Sequence, residues 1–272
     1  MARYGMVIDL NACMGCRACM VACKIENGTP ASHFFMYVFR FEEGNYPNAQ
    51  IRFLPRPCMH CSNPPCVEAC PFDARVQWRD GLVETDYDNC QGARLCEQAC
   101  PYGVNYFNID DPAKNQYFDY DDPDIQEVLQ GIIPAYWNPD TAKPSTWEGD
   151  EKKPERRLAG GGHRKNTVNK CTFCLHRLDQ GITVTACQQV CPVRAIHFGD
   201  LDDPNSEVSR LLRERSNEVF RLKEDAGTDP KVFYLGMPPE RDARVVETAP
   251  VKPNVQILAD PEKDDGVIPP WK

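Results

Sequence analysis

No stretch of this chain is apolar for long enough to cross a bilayer. The most apolar run, Phe34 to Phe41, is short and contains Arg40, against the roughly 20 residues that a spanning helix needs. The first residues reach a polar Asp9 and then cysteines, without the long apolar stretch of a secretory signal. Membrane attachment is therefore expected through a partner, with no direct span. Positive charge is also in short supply. The 31 basic residues against 40 acidic ones give a net charge of -9, which repels a phosphate backbone and argues against nucleic acid as a partner. Gly160-Gly161-Gly162 has neither the spacing nor the Lys-Ser/Thr ending of a phosphate-binding loop; it reads as a flexible hinge.

Cysteine, in contrast, is abundant. Fifteen thiols in 272 residues are chemically unsafe unless they are oxidised or bound to metal. The count is odd, so a complete disulfide framework leaves one thiol over. The hydrophobic share of 42% is enough for at least one modest core.

The cysteines fall in four groups, three of which end in Cys-Pro: Cys70-Pro71, Cys100-Pro101 and Cys191-Pro192. That is an internal repeat. After each Cys-Pro come a turn and a strand-like segment, "FDARVQW", "YGVNYFN" and "VRAIHFG", so each group reads as a small loop, helix and strand unit. "RVQWRDGLVET" predicts a hairpin about Asp80-Gly81, and a strand over Tyr4–Asp9 leads into the first group. The cysteine-free stretch from Asn108 to Val168, rich in Asp, Pro and aromatics, reads as an inserted surface excursion. It carries one short helix, Pro123 to Gln130, ended by Gly131. Pro204 and polar caps predict a helix over Asn205–Arg215. Beyond Gly236, prolines and charges suggest an extended tail that lies along a partner or is disordered.

The first group, Cys13, Cys16, Cys19 and Cys23, has the x2, x2, x3 ligand spacing of a bacterial-type iron–sulfur ferredoxin. Three thiolates on one tight loop can reach three corners of a cubane, while the fourth points away toward a second cluster. The second group, Cys58, Cys61, Cys66 and Cys70, is the same pattern with a longer loop. The fourth, Cys171, Cys174, Cys187 and Cys191, widens it further. The third group has Cys90, Cys96 and Cys100, with Ala93 where the spacing asks for a cysteine. Zinc sites favour paired Cys-x2-Cys motifs with long gaps, and a disulfide scaffold needs an even count, so iron–sulfur ligation is the better reading of all four groups.

The motifs "CMGCRACMVACKIEN", "CMHCSNPPCVEACP", "KCTFCLHRLDQG", "CPVRAIHFGDLDDPNSEVSRLL" and "GTDPKVFYL" cover most of the chain apart from the excursion and the final tail. They resemble the four-cluster electron-transfer subunit of the molybdopterin oxidoreductases, the family of the dimethyl sulfoxide, polysulfide, thiosulfate and arsenate reductases. The resemblance implies that the groups pair first with fourth and second with third, each lending its last cysteine to its partner's cluster. Carried over, Cys13, Cys16, Cys19 and Cys191 hold one four-iron (4Fe-4S) cluster, Cys171, Cys174, Cys187 and Cys23 a second, and Cys58, Cys61, Cys66 and Cys100 a third. The remaining site has Cys90, Cys96 and Cys70. Alanine cannot ligate iron, so a three-iron (3Fe-4S) cluster is the natural expectation there. Two rivals stay open: a non-cysteine ligand or water holds a fourth iron, or the site is empty.

Several neighbours of the cysteines invite a role. His60 and His176 could tune a cluster through a hydrogen bond to sulfur, or simply make a backbone contact or face a partner subunit. Lys24, Lys170 and Arg177 could offset the negative charge of thiolate-bound clusters, or be solvated surface groups.

The expected fold is α+β: two interleaved bacterial-type ferredoxin-like lobes with an inserted excursion and an extended C-terminal tail. Lobe I takes 1–50 plus 165–200, lobe II 51–108, the insertion 109–164, and the helix with its C-terminal extension 201–272. The resemblance implies a non-catalytic subunit that relays single electrons through four clusters. Its partners are then a molybdenum or tungsten molybdopterin catalytic subunit and an integral-membrane quinone-reactive subunit. It also implies membrane association through those partners, on the periplasmic face if the chain is exported together with a signal-bearing partner and otherwise on the cytoplasmic one. Service to a hydrogenase or formate dehydrogenase is an alternative, as is an enzyme using an open iron as a Lewis acid.

Overall fold

A computed structural model describes residues 2–30, 33–109, 123, 165–240 and 243–246. The helix expected over Pro123 to Gln130 and the glycine run at 160–162 lie outside the described residues, apart from Pro123.

In chain order the elements are β1 (Tyr4–Asp9), α1 (Ala18–Asn27), β2 (Tyr37–Glu43), β3 (Gln50–Arg56), α2 (Pro65–Glu68), β4 (Arg75–Gln77) and β5 (Val83–Thr85). They continue with α3 (Leu95–Gln98), β6 (Tyr106–Phe107), β7 (Val168–Asn169), α4 (Leu175–Leu178) and α5 (Ala186–Gln189). The last are β8 (Ile196–Asp200), α6 (Glu207–Glu214), β9 (Val219–Phe220), β10 (Val232–Leu235) and β11 (Arg244–Val245).

The central sheet runs β8-β1-β10-β9. Its middle strand β1 is flanked on both sides, which is why Met6, Val7 and Ile8 are apolar in unbroken succession. β8 pairs with it antiparallel, Met6 opposite Phe198, and β10 pairs parallel, Met6 opposite Val232. This pairing joins the strand before the first cysteine group to the strand after the fourth. One face of the sheet is covered by α6, which buries Val208 against Val7 and Leu235. Gly5 faces Gly199 across β1 and β8, and a Cβ at Gly5 would meet Leu201 at 2.6 Å.

β2 and β3 form a long hairpin, from Tyr37 opposite Arg56 to Glu43 opposite Gln50, and β11 adds to the far edge of β2. The boundary expected at 50/51 therefore falls at the first residue of β3, inside this hairpin. The described part of the tail also departs from expectation, since Arg244 and Val245 pair with this chain's own β2. β10, which falls in the expected C-terminal extension, lies beside β1, because "VFYL" can be buried only between strands. Two short ladders, β4 with β5 and β6 with β7, complete the set. The first is the hairpin expected about Asp80-Gly81.

Apolar side chains from both halves, Met6, Phe35, Phe41, Leu54, Phe173 and Tyr234 among them, share one core with several of the cysteines. Two polar fastenings stand out. Ser206 caps α6: its Oγ accepts from the Ser209 N–H at 3.2 Å and donates to the Asp200 carbonyl at 2.6 Å. Glu26 on α1 accepts from Arg177 Nη2 at 2.8 Å and contacts His176 Nε2 at 2.7 Å, tying α1 to α4. Burial alone would raise the Glu26 carboxyl, but the hydrogen bonds of Arg177 and His176 bring it down to about 2.

Ser206→Ala is expected to cost about 1 kcal/mol, read as a lowered guanidinium midpoint for loss of the visible cluster absorbance. Glu26→Ala strands the donors of Arg177 and His176 and is expected to cost about 1–3 kcal/mol at neutral pH by the same readout. Because folding lowers the Glu26 pKa, its contribution is whole above its ordinary value of 4.5 and is lost as pH falls through about 2. The gap between wild type and Glu26→Ala therefore narrows in acid.

Candidate metal centres

The loops that carry the cysteines are built from left-handed turns. In the first group Gly15 has φ +69° and Arg17 has φ +62°; in the third, Gly92 has φ +71° and Arg94 has φ +61°. A Cβ would strike the Phe53 ring at 2.3 Å from position 15 and the Asn166 carbonyl oxygen at 2.4 Å from position 92, so both sites require glycine. The residue between the two left-handed positions is Cys16 in one loop and Ala93 in the other. Both are exposed. Ala93 thus stands at the backbone position that carries a thiol in the first group.

Three sets of thiols are gathered tightly enough to act on one another. Burial raises the Cys13 thiol, and Cys191 and Cys16 add to the rise. Cys19 is raised by burial and by Cys187, Cys13, Cys16 and Cys191. In the second set burial pushes Cys23 up, followed by the charges of Cys171, Cys174 and Cys187. Cys171, Cys174 and Cys187 are themselves pushed up to about 12, burial first. In the third set Cys61 is raised to about 12 and Cys66 to about 11 by burial, with Cys58 and Cys100 adding in both cases. The four thiols of this set line one cavity together with Pro64, Pro101 and Lys170. Of the remaining thiols Cys96 lies on α3, which packs against α2, and it shares a small apolar cluster with Cys66; Cys70 and Cys90 lie outside both helices. Among the described residues no three of His, Cys, Asp or Glu converge on a single-ion site.

Thiols raised this far are protonated when bare, and a bound metal releases the proton. Donors already face the sulfurs: Phe173 N–H to Cys171 at 3.4 Å, Ala195 N–H to Cys191 at 3.2 Å, and Asn27 Nδ2 to Cys23 at 3.5 Å. Such hydrogen bonds favour thiolate and tune a cluster's potential. The all-thiol donor set, the donors aimed at sulfur and the enclosing apolar core fit iron–sulfur clusters.

The two histidines beside the cysteines bond to other groups than sulfur. His60 is fully buried; the Val83 N–H donates to its Nδ1 at 3.0 Å, so Nε2 carries the proton and donates to the Cys171 carbonyl at 2.9 Å. Its ring stacks on Phe173 at 4.0 Å. His176 reaches Glu26. Lys170 is buried and donates to the Cys171 carbonyl at 2.9 Å, and Lys24 fastens the following loop through Thr29, Pro30 and His33. Neither lysine is a solvated surface group. Sequence reasoning missed three further buried cations, Arg56, Arg75 and Lys231. The available signal was a basic residue within or beside a β-rich apolar segment that follows or precedes a cysteine group.

Two family models, each described as a 4Fe-4S dicluster domain, match residues 12–74 and 49–116. The arsenate respiratory reductase iron–sulfur subunit of Shewanella sp. (strain ANA-3) is 39% identical, covering 86% of this chain and 96% of that protein. A selenate reductase subunit of Mesobacillus selenatarsenatis is 38% identical over 85% of this chain and 70% of its own length. The menaquinone reductase iron–sulfur cluster-binding subunit of Nitratidesulfovibrio vulgaris is 34% identical over 86% of this chain and 88% of its own. Similarity of this extent shows that the chain belongs to the iron–sulfur electron-transfer subunits of the molybdopterin oxidoreductase family.

Proposed function

We propose that this subunit passes single electrons along four clusters in a fixed linear order, between a molybdenum or tungsten molybdopterin catalytic subunit and a membrane quinone-reactive subunit. The observation that carries the order is the succession of neighbouring thiols. Cys19 lies by Cys187, Cys171 lies by Cys58, and Arg75 stands between Cys66 and Cys96. Each of these electrostatic interactions joins one ligand set to the next.

The ligand sets are Cys13, Cys16, Cys19 and Cys191; Cys23, Cys171, Cys174 and Cys187; Cys58, Cys61, Cys66 and Cys100; and Cys70, Cys90 and Cys96. The first two belong to one ferredoxin-like lobe and the last two to the other. The pairing of β1 with β8 supports the interleaving of the chain in the first lobe. The clusters supply one-electron chemistry at potentials that the protein sets. The chain's own residues hold the sulfurs, exclude water from most of them, and stack a ring from each of two cysteine loops, His60 and Phe173, on one another.

The three-thiol set holds a three-iron cluster. Support comes from the loop at Gly92 to Arg94, whose backbone repeats that of Gly15 to Arg17 while offering alanine in place of the thiol. The selenate, arsenate and menaquinone reductase names borne by the relatives favour a respiratory complex.

Electron paramagnetic resonance on anaerobically purified, oxidised protein tests this. A three-iron cluster is paramagnetic when oxidised and an intact four-iron cubane of this kind is silent. The expected result is a near-stoichiometric signal, lost in Cys90→Ala and kept in Cys13→Ala. A silent oxidised sample contradicts the three-iron reading. Supplying the thiol reverses the state: Ala93→Cys, reconstituted with iron and sulfide, is expected to lose the oxidised signal and gain a new one on reduction. Persistence of the oxidised signal in that variant would show that position 93 does not face the cluster.

A further inference from the structure

Arg75 opens β4, five residues after Cys70, and its side chain is buried, 3% exposed. Its Nη2 donates to Asn105 Oδ1 at 2.7 Å, to the Val168 carbonyl at 3.4 Å and to Cys96 Sγ at 3.7 Å. Asn105 in turn donates to the Cys96 carbonyl at 2.9 Å, so the guanidinium and the cysteine are clamped by one amide. Nε and Nη1 have no hydrogen-bond partner among the described residues, and no carboxylate there forms an ion pair with Arg75. A buried cation without a counter-anion is costly. The groups beside it that are negative when they ligate a cluster are the sulfurs of Cys96 and Cys66.

We infer that Arg75 is a positioning residue that sets the reduction potentials of two neighbouring centres at once, the one held through Cys96 and the one held through Cys66. The inference rests on the ligand sets proposed above. Each centre gains one negative charge when it accepts an electron. A fixed positive charge in a low-dielectric interior favours that reduced state and so raises the potential. One guanidinium beside two centres raises both. Nε and Nη1 keep N–H donors that no protein group occupies among the described residues.

The surroundings make the effect unequal. The Cys58, Cys61, Cys66 and Cys100 set keeps three other buried cations when Arg75 is removed. Lys170 faces Cys66, Lys231 faces Cys58 and Cys61, and Arg56 faces Cys100. At Cys96 the cation bonded to the sulfur is Arg75 itself. The larger change therefore belongs to the three-thiol centre.

The test is a redox titration followed by electron paramagnetic resonance on the purified complex, comparing wild type with Arg75→Lys, Arg75→Gln and Arg75→Met. Wild type is first assigned with Cys90→Ala, so an error in the ligand reading is visible before Arg75 is changed. In Arg75→Met the reduction equilibrium of the three-thiol centre is expected to weaken about tenfold, a downward shift of about 59 mV for one electron. The Cys66 centre moves less in the same direction, and the Cys13 centre does not move. Arg75→Lys, which keeps the charge, restores most of the shift. Arg75→Gln keeps an amide donor for Asn105 and carries the same reading if the methionine variant fails to load iron. A fully loaded methionine or glutamine variant with wild-type potentials overturns the inference, as does an equal shift at the Cys13 centre.

Discussion

Thiols brought close together in an apolar interior repel one another once ionised, and that repulsion is the constraint on which this structure depends. Burial and mutual charge hold Cys13 and Cys19, Cys23, Cys171, Cys174 and Cys187, and Cys61, Cys66 and Cys100 above the ordinary cysteine range. Bare, they therefore keep their protons, and a bound cluster takes the protons' place. The backbone supplies the geometry: left-handed turns at Gly15 and Gly92 bend the loops tightly, and the antiparallel pairing of β1 with β8 returns Cys191 to Cys13 across most of the sequence. Sheet pairing and metal ligation therefore reinforce each other. Neither makes full sense alone.

A second feature follows from the same electrostatics. The chain is acidic overall, at -9, yet Arg56, Arg75, Lys170 and Lys231 are all buried. They face the thiols of the second and third groups, and Lys170 acts as well on Cys171 of the fourth. The first and fourth groups meet less buried positive charge: Arg177 spends its hydrogen bonds on Glu26, and Lys24 on loop carbonyls. The gradient of buried charge along the molecule is a physical means of ordering the potentials in a wire.

Much of this is legible in the sequence because the signals are local. Cys-x2-Cys spacing, the strand after each Cys-Pro, the Asp80-Gly81 turn and the Ser206 cap all act within a few residues. The helix expected over Asn205–Arg215 begins at Glu207, since Ser206 is its cap and not its first turn. The β2–β3 hairpin is illegible because "YVFRFEE" reads equally as a short apolar run. β10 escapes because its partner β1 lies more than 200 positions away, and β11 because two residues carry no periodicity. The buried cations escape for a related reason. Arg75 looks like any strand-edge arginine until the fold closes Cys66 and Cys96 around it.

The central claim is that fifteen thiols hold three complete clusters and one that is short of a ligand and an iron. Iron and acid-labile sulfide, counted per chain on the anaerobically purified complex, test it most directly. The account predicts about 15 iron atoms and about 16 labile sulfides, because a 3Fe-4S cluster keeps four sulfides while lacking one iron. Iron equal to sulfide near 16 would contradict it by completing the fourth cubane, and about 12 of each would contradict it by leaving the Ala93 site empty.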